Sequence, residues 1–480
     1  MQCKFEIDWE DFRCERSAEH GEFCIFHIEK LTAEEKKGLK AADLEHWEAV
    51  EQGFRAEFIG YLMDEERDGK IATCDVRGFS FPSIKLAQRR FVKRVDFTLA
   101  KFAGSVDFSY SVFDKEANFS DVRFKGPVTF KGISFQEKAE FIFSSFDSKA
   151  NFVEARFGRE ASFTFVSFAD QSHFSGSKFN GFANFRGTKF ATRTWFSSVE
   201  FFDKALFAGG EDHSCFQNGA RLTDWSFPSA TGVVFQRTNL NRASFMDTDL
   251  ESIRFRDVIW YRPARRLLRM TRPHALWDEF EPLKNIGIVF RNAAGNDRDY
   301  EKIAENYRQL VLNYEARRDY DTAESFHIGE MEMRRKKKAA HIENLRVRRL
   351  REWVNSYGIY RVLSNYGTSW LQALGILVAF LCLFSLSFLY SGFRTTGEEP
   401  QRTIEYNIFA DLSHHHVNLK EWAQDYFSAM SLSASIVTFQ KDRFYEPLPG
   451  ISRLWLFVSV ISFTGQVAMT LLALRRRFRR

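Results

Sequence analysis

The sequence predicts a multidomain protein in which a long β-solenoid is joined through a helical connector to a C-terminal membrane unit. Two observations support this prediction. Phe occurs 53 times in 480 residues, and twenty-one of these Phe residues follow one another at alternating steps of five and six. Near the C-terminus, two stretches of 21 residues each contain no charged side chain. The first pattern favours a repeated, stacked core, and the second favours membrane spans.

The Phe pattern consists of two interleaved series. One series places Phe every eleven residues from Phe97 to Phe207, and the other has the same step from Phe102 to Phe201. The combined spacing fits neither the 3.6-residue period of a helix nor the two-residue period of a strand. It fits a solenoid in which each short side points one residue inward. After a gap, a plain step of five continues from Phe235 to Trp260, so we expect these side chains to fill the solenoid axis.

Residues 72–260 resemble the pentapeptide-repeat family, in which a small residue precedes many inward Phe residues, as in Ala117-Asn118-Phe119. The resemblance implies a right-handed quadrilateral β-helix with four inward residues per coil. An extra residue in every second repeat departs from the family pattern and gives 22 residues per coil. Some relatives of this fold mimic B-form DNA, which requires a strongly acidic face. Residues 72–260 contain 25 basic and 21 acidic residues, so we expect no such mimicry.

The N-terminal segment, residues 1–31, concentrates candidate metal ligands. They are Cys3, Cys14, Cys24 and His27. Because no secretory signal is evident, we expect a cytosolic segment with reduced thiols. Zinc binds four tetrahedral N and S ligands, and a Cys-x2-His pair can form one edge of the tetrahedron. The spacing therefore predicts a structural zinc site resembling a zinc knuckle. His20 is an alternative ligand, and buried free thiols are the alternative interpretation.

Helical segments are predicted on both sides of the solenoid. Residues 32–71 should form a helical cap, with Thr32 in the N-cap position. Residues 261–344 should form a helical hairpin, because apolar side chains such as Ile303 and Leu310 recur at helical spacing. This connector resembles one in bacterial pentapeptide-repeat proteins that carry a C-terminal pore domain. The connector could be a passive spacer or could couple the solenoid to the membrane unit. The sequence fits both roles equally.

Residues 345–366 are predicted to form one amphipathic helix that lies along the inner membrane surface. Four Arg residues fall between Arg346 and Arg351, where they would meet anionic lipid headgroups. Aromatic residues such as Trp353 and Tyr357 suit the boundary between water and lipid. The predicted partner of this segment is therefore the lipid bilayer itself.

The remaining sequence divides into two spans and a loop. The first transmembrane helix is predicted over 367–392, the external loop over 393–453, and the second transmembrane helix with a basic tail over 454–480. Basic residues flank the start of the first span and the end of the second, and the loop is poorer in them. By the positive-inside rule, both termini are cytoplasmic in a multi-pass protein of the inner (plasma) membrane.

The external loop resembles the pore helix of the potassium-channel superfamily. Tyr426-Phe427-Ser428 matches the Tyr-Phe-Ser that opens that motif, and Leu432 matches its late Leu. The resemblance implies a pore-loop domain in a homotetramer. In register with the family's filter, this chain has a filter-like segment made of Ser433, Ala434, Ser435, Ile436, Val437, Thr438 and Phe439.

This filter-like segment departs from the potassium-type filter, in which backbone carbonyls replace the hydration shell of the ion. Ile436 and Thr438 stand where the potassium filter has Gly. β-Branched residues resist the positive φ angles that Gly adopts, so the carbonyl ladder cannot form in its usual way. The segment also lacks Asp and Glu. We therefore expect a degenerate filter and leave the permeant ion, including the sign of its charge, open.

The second span carries polar residues that are candidates for a pore wall. They are Ser459, Ser462, Gly465 and Gln466. A polar amide such as Gln466 normally faces the interior of a helix bundle or a water-filled path. Interhelical hydrogen bonding is an equally weighted alternative. In the external loop, the run His414–His416 could bind a metal or respond to pH, although such runs are more often solvated.

Together these features predict an oligomeric ion channel of the two-transmembrane pore-loop type. Its cytosolic solenoid would bind a regulatory protein or ligand. The alternative is a non-conducting, membrane-anchored scaffold that presents the solenoid to a cytosolic partner. An enzyme is not expected, because the sequence shows no nucleophile–base pairing, no phosphate-binding Gly loop and no open metal site.

Overall fold

Short parallel strands, most of them two residues long, form four sheets between Thr73 and Arg256 in the computed structural model. The structure describes residues 2–7, 12–67, 73–210, 215–225, 227, 232–263, 272–280, 299–342, 344–396, 401–406, 419–438, 440 and 444–478. Within these ranges the chain forms two compact units, Met1–Gly329 and Glu330–Arg480.

The four parallel sheets belong to the first unit and are built from strands that recur along the chain. The first sheet contains Thr73–Asp75, Arg94–Asp96, Ala117–Asn118, Ala139–Glu140, Ala161–Ser162, Ala183–Arg186, Ala205–Ala208, Val233–Gln236 and Arg254–Arg256. The second contains Ser80–Phe81, Lys101–Phe102, Arg123–Phe124, Ser145–Phe146, Ser167–Phe168 and Lys189–Phe190. The third contains Ile84–Lys85, Val106–Asp107, Val128–Thr129, Ala150–Asn151, Ser172–His173, Thr194–Trp195, Ala220–Arg221 and Ala243–Ser244. The fourth contains Arg90–Phe91, Val112–Phe113, Ser134–Phe135, Arg156–Phe157, Lys178–Phe179 and Glu200–Phe201.

The strand register shows the 22-residue repeat directly. Phe113 pairs with Phe135 in the next coil, so residues 22 positions apart lie above one another. Within a strand, side chains alternate: Phe124 is fully buried, and the preceding Arg123 is exposed. The predicted β-solenoid is therefore confirmed, and it has about eight turns.

Stacked Phe rings fill the solenoid axis in columns. The ring of Phe141 lies parallel to those of Phe119 and Phe163, with 4.9 Å between centroids on each side. Neighbouring columns meet edge to face, as Phe141 meets Phe130 at 5.8 Å and 81°. Offset stacking within columns and edge-to-face contact between them are both favourable aromatic geometries. Each coil is thus stabilised mainly by the coils above and below it.

The N-terminal part of the first unit contains a short ribbon and two helices. Glu6–Ile7 pairs antiparallel with Phe12–Arg13, and the helices are α1, Ala33–Lys37, and α2, Ala41–Arg67. Thr32 caps α1, as predicted: its Oγ1 accepts from the Glu35 amide at 3.3 Å, and the Glu35 carboxylate accepts from the Thr32 amide at 2.6 Å. This reciprocal pair satisfies two N–H groups that the helix itself leaves free.

At the C-terminal end of the solenoid lie the 3-10 helix Trp277–Glu279 and the helices α3, Tyr300–Ala316, and α4, Tyr320–Lys337. Side-chain amides of α3 bond to the backbone of the final coils. Asn306 donates to the carbonyl of Phe245 at 2.8 Å, and Asn313 donates to that of Ile253 at 2.6 Å. The connector is therefore an end cap, because it satisfies backbone groups that no further coil pairs.

Among its described residues, the second unit contains five further helices and one small sheet. The helices are α5, Leu345–Val354; α6, Ser356–Ser364; α7, Trp370–Ser391; α8, Leu419–Val437; and α9, Ile451–Phe478. In the antiparallel sheet, Phe393–Thr395 lies between Thr403–Ile404 and Tyr445–Pro447. The prediction of one helix over 345–366 is wrong: Asn355 ends α5, and its Oδ1 caps α6 by accepting from the Gly358 amide at 2.9 Å. An Asn side chain that bonds its neighbouring backbone favours such a break over a continuous helix.

Candidate functional site

Two helices of the second unit are long and apolar enough to cross a membrane. They are α7, with 22 residues, and α9, with 28 residues. At 1.5 Å of rise per residue, both helices reach the ~30 Å thickness of a bilayer hydrocarbon core. Length and composition therefore make them two candidate spans.

Helix α8 packs against both candidate spans. Its buried face includes Ala429, Leu432 and Ile436. These side chains share an apolar cluster with Phe388 of α7 and Phe463 of α9. The spacing of three, four and seven residues along α8 places them on one helical face, which explains why this face is the buried one.

The opposite face of α8 is open. Phe427 is 66% exposed, and Gln424, Ser431 and Thr438 are also exposed. Beyond Asp425, α8 carries no charged residue. The open face of α8 therefore presents an aromatic ring and small hydroxyl groups, rather than charged groups, to its surroundings.

The filter-like segment is helical in this structure. Ser433–Val437 forms the last turns of α8, and Phe439 lies outside the described residues. The carbonyl of Ala434 accepts from both the amide and the hydroxyl of Thr438, each at 3.1 Å. The hydroxyl of Ser435 donates to the Leu432 carbonyl at 2.7 Å. These carbonyls are occupied inside the helix, so they form no extended ladder along an ion path.

The four pore-lining candidates on α9 differ in their exposure. Ser459 and Gln466 are buried, Ser462 is half-buried, and Gly465 is exposed. The Gln466 amide donates to the carbonyl of Leu363 at 3.0 Å and to that of Ala373 at 2.7 Å. In this conformation Gln466 therefore ties α9 to α6 and α7 within one chain. That arrangement corresponds to the interhelical role rather than to a wetted wall.

A buried ionic cluster that no sequence pattern indicated is centred on Glu332 of α4. One carboxylate oxygen accepts from Tyr366 and from Arg361, both at 2.8 Å, and the other accepts from Arg335 at 2.9 Å. Both guanidinium groups also lie over the Trp353 ring, at 5.6 and 5.4 Å. Burial raises the pKa of Glu332, but the two Arg residues and the Tyr366 hydroxyl outweigh it and hold the pKa below its ordinary value.

The turn that connects α6 to α7 is part of the same cluster. Asn365, Tyr366 and Gly367 all have left-handed backbone angles, with φ of 47°, 62° and 72°. Two consecutive non-Gly residues in this region are strained and need support from their surroundings. Tyr366 is fully buried, and its carbonyl accepts from Arg476 of α9 at 3.0 Å. The Glu332 cluster thus connects α4, α6 and the adjoining ends of both candidate spans.

A second polar group lies in the loop between the spans. Asp425 of α8 is buried, and its carboxylate accepts from the Tyr406 hydroxyl at 2.8 Å and from Arg402 at 3.3 Å. Burial and the neighbouring Asp425 raise the pKa of Tyr406 to about 12. These contacts hold Arg402 and Tyr406 of the loop against the N-terminal half of α8. The run His414–His416 lies outside the described residues.

The predicted metal ligands come together in the first unit. Cys3, Cys14, Cys24 and His27 are all buried, and their ligand atoms lie within 4.8 Å of one another. His20, the alternative ligand, is not among them. Burial lowers the pKa of His27 to about 4, so its imidazole is neutral at physiological pH, as a metal ligand must be.

A family model for pentapeptide repeats, covering nine copies, matches residues 91–134. Pentapeptide repeats are therefore present in this stretch of the β-solenoid. Comparison with curated proteins gave no match, and comparison with solved structures gave none either.

Proposed function

We propose that this pentapeptide-repeat chain assembles as a homo-oligomer around a membrane pore and conducts ions. The observation that carries the proposal is the position of α8, which packs on both candidate spans and leaves its other face uncovered. Copies of this face, arranged around a symmetry axis, would enclose a path through the membrane. The solenoid would serve as a cytosolic domain that binds a regulatory protein or ligand.

Several copies are required because two spans cannot surround a pore. The resemblance to the potassium-channel superfamily favours four subunits. The exposed Ser431 hydroxyl lies on the open face of α8, and the exposed Thr438 follows directly after the last residue of the helix. Facing lipid, such groups have no partners beyond their own helix, whereas facing a water-filled axis they are solvated. Ser462 and Gly465, on the accessible side of α9, would complete the wall.

A wall of this kind would discriminate weakly between ions. Its carbonyl oxygens are used within helices, and the described filter-like residues carry no carboxylate. Ion dehydration would therefore not be compensated atom by atom, as it is in a carbonyl-lined filter. We propose a pore of non-potassium type whose permeant ion the wall chemistry leaves open.

A second candidate function is the non-conducting scaffold. Two observations favour it: the filter-like segment is helical, and Gln466 is sealed between helices. In this alternative, the second unit only anchors the chain in the membrane, and the solenoid presents its surface to a cytosolic partner. The two functions share one architecture and differ in whether an ion path opens.

We propose that both termini are cytoplasmic in the inner (plasma) membrane. The Arg476 side chain at the end of α9 bonds next to the start of α7, so the basic ends of both spans lie together. In sealed cells, an impermeant thiol reagent should label His415→Cys and should miss Ala340→Cys, with the unmodified chain as the background control. Labelling at position 340 would overturn this orientation.

The pore wall is tested by changing Ser431 on the open face of α8. Ser431→Glu should place one carboxylate per subunit on the axis and shift the reversal potential toward cation selectivity. The matched control is Ser431→Gln, which has nearly the same size without the charge. Currents from purified, reconstituted protein under a salt gradient provide the measurement. Identical reversal potentials for the wild type, Ser431→Glu and Ser431→Gln would show that this face of α8 does not line the pore.

A further inference from the structure

The N-terminal end of the solenoid needs a cover, because its first coil has stacked rings and no preceding coil to protect them. The N-terminal segment supplies that cover. The ring of Phe26 stacks on Phe79 at 4.5 Å, and the Phe26 carbonyl accepts from the Ser80 amide at 2.7 Å. The Lys30 amide donates to the Ser80 hydroxyl at 2.8 Å. The segment therefore continues the solenoid core and its hydrogen bonding by one further layer.

We propose that a single Zn²⁺ bound by Cys3, Cys14, Cys24 and His27 locks this cover onto the first coil. The proposal goes beyond the pore, because it assigns the metal a role at the N-terminal end of the solenoid. It treats the metal as a structural clamp on the solenoid and not as part of the ion path.

Three distances between the ligand atoms lie near the edge lengths of a zinc tetrahedron, and all four atoms lie within 4.8 Å of one another. Two thiolates at the usual Zn–S distance of about 2.3 Å should lie about 3.8 Å apart. The sulfurs of Cys14 and Cys24 are 3.9 Å apart. The Nδ1 atom of His27 lies 3.1 Å from the Cys24 sulfur and 3.6 Å from the Cys3 sulfur. Four N and S ligands close the coordination sphere, so the site is structural and leaves no position for catalysis.

The second nitrogen of His27 joins the metal site to the solenoid. Its Nε2 lies 3.2 Å from the carbonyl of Arg77, so the Nε2–H can donate to the first coil while Nδ1 binds zinc. This arrangement fixes the tautomer and the ring orientation, as outer partners of metal-bound His usually do. The ring is further held by Phe5, which stacks on it at 4.0 Å.

Charges around the site suit a zinc ion with three thiolates. Such a centre carries a net charge of −1, which is costly to bury unless positive groups and N–H donors lie near it. The Cys24 amide donates to the Cys3 sulfur at 3.3 Å. The Lys30 side chain is fully buried beside the site and donates to the carbonyl of Ile28 at 3.0 Å. Lys30 also lies over the Phe54 ring at 4.8 Å, and in its protonated form it would offset part of the charge of a zinc–thiolate centre.

Elemental analysis and hydrogen exchange of the full-length protein test the proposal. Protein purified without chelator should contain about one zinc per chain. Cys24→Ser should lose the metal, and the matched variant Cys215→Ser, which removes a buried thiol outside the cluster, should retain it. Cobalt substituted for zinc should give the absorption of tetrahedral thiolate coordination in the wild type and in Cys215→Ser, but not in Cys24→Ser.

The clamp role is tested on the wild-type protein, so the test does not require a variant that folds. Removing zinc with a chelator should accelerate exchange of the Ser80 amide by at least tenfold. Exchange of the Phe141 amide, which bonds to Ser162 in mid-solenoid, should be unchanged. Absence of metal from well-folded protein would overturn the site. Zinc loss without faster exchange at Ser80 would overturn the clamp.

Discussion

Phe152→Ala is expected to lower the free energy of unfolding of the solenoid by ~3–5 kcal/mol. The Phe152 ring is fully buried and stacks between Phe130 and Phe174, at 4.7 Å from each. The parallel strand ladders fix the separation of the coils, so neighbouring rings cannot close the cavity. The loss should appear in a denaturant titration followed by circular dichroism of the purified protein.

The matched control is Phe165→Ala, at a Phe outside both series. Phe165 is 49% exposed and stacks on Phe143 at the surface, with 5.2 Å between centroids. Its φ of 57° is left-handed, and Ala shares the same backbone restriction, so the comparison isolates the lost ring. We expect the control to cost about 1 kcal/mol or less. Equal losses for the two variants would show that the inward register is wrong.

Glu332→Ala is expected to destabilise the second unit by ~3–5 kcal/mol, because it leaves the buried Arg335 and the partly buried Arg361 without their shared carboxylate. Arg335 and Arg361 both pair with Glu332 at distances below 3 Å, and Arg335 also pairs with Glu352 at 3.2 Å. The control is Glu315→Ala on α3, where the carboxylate is exposed, and this change should stay within about 0.5 kcal/mol. Denaturant titration in detergent, followed by the helical circular dichroism signal, provides the measurement. Equal stability of Glu332→Ala and the wild type would contradict the cluster.

The same cluster gives a pH dependence with a defined sign. The folded pKa of Glu332 lies below its value of 4.5 in the absence of the fold. The carboxylate's contribution to stability is therefore fully present above that pH, and it is lost as the pH falls through the lower folded pKa. Glu332→Gln should remove this acid-range slope. An unchanged slope would assign the acid sensitivity to other groups.

The solenoid could be predicted from the sequence because its information is local and repeated. A step of five or six residues fixes which side chains point inward, and stacking fixes what lies above them. The 22-residue spacing gave the strand register, as the pairing of Phe113 with Phe135 shows. The same reasoning predicted Thr32 as a helix cap, because a cap depends on residues three positions apart.

The polar contacts of the second unit could not be predicted in this way. Gln466 bonds to Ala373, which lies 93 positions earlier in the chain, and no periodicity connects the two. Glu332 also lies just before the basic run Arg334–Lys338, where the general expectation is a solvated face. An acidic residue beside such a run was the available signal, and using it required knowing that Arg361 folds back onto α4.

The metal cluster lies between these cases. The Cys-x2-His pair is local and predicted one edge of the site, and the structure places its two ligand atoms 3.1 Å apart. The choice of His27 over His20 depends on the turn that brings His27 against the carbonyl of Arg77. That contact spans 50 residues, so sequence spacing alone left both His residues open.

Single-channel recording from purified wild-type protein in planar bilayers tests the proposed function most directly. The oligomer is first verified by mass, so that a silent sample cannot be attributed to failed assembly. The pore account predicts discrete current steps under a salt gradient, with weak discrimination among monovalent ions of one sign. Intact oligomers that pass no current at any applied voltage, ionic composition or pH would contradict a pore and favour the membrane-anchored scaffold.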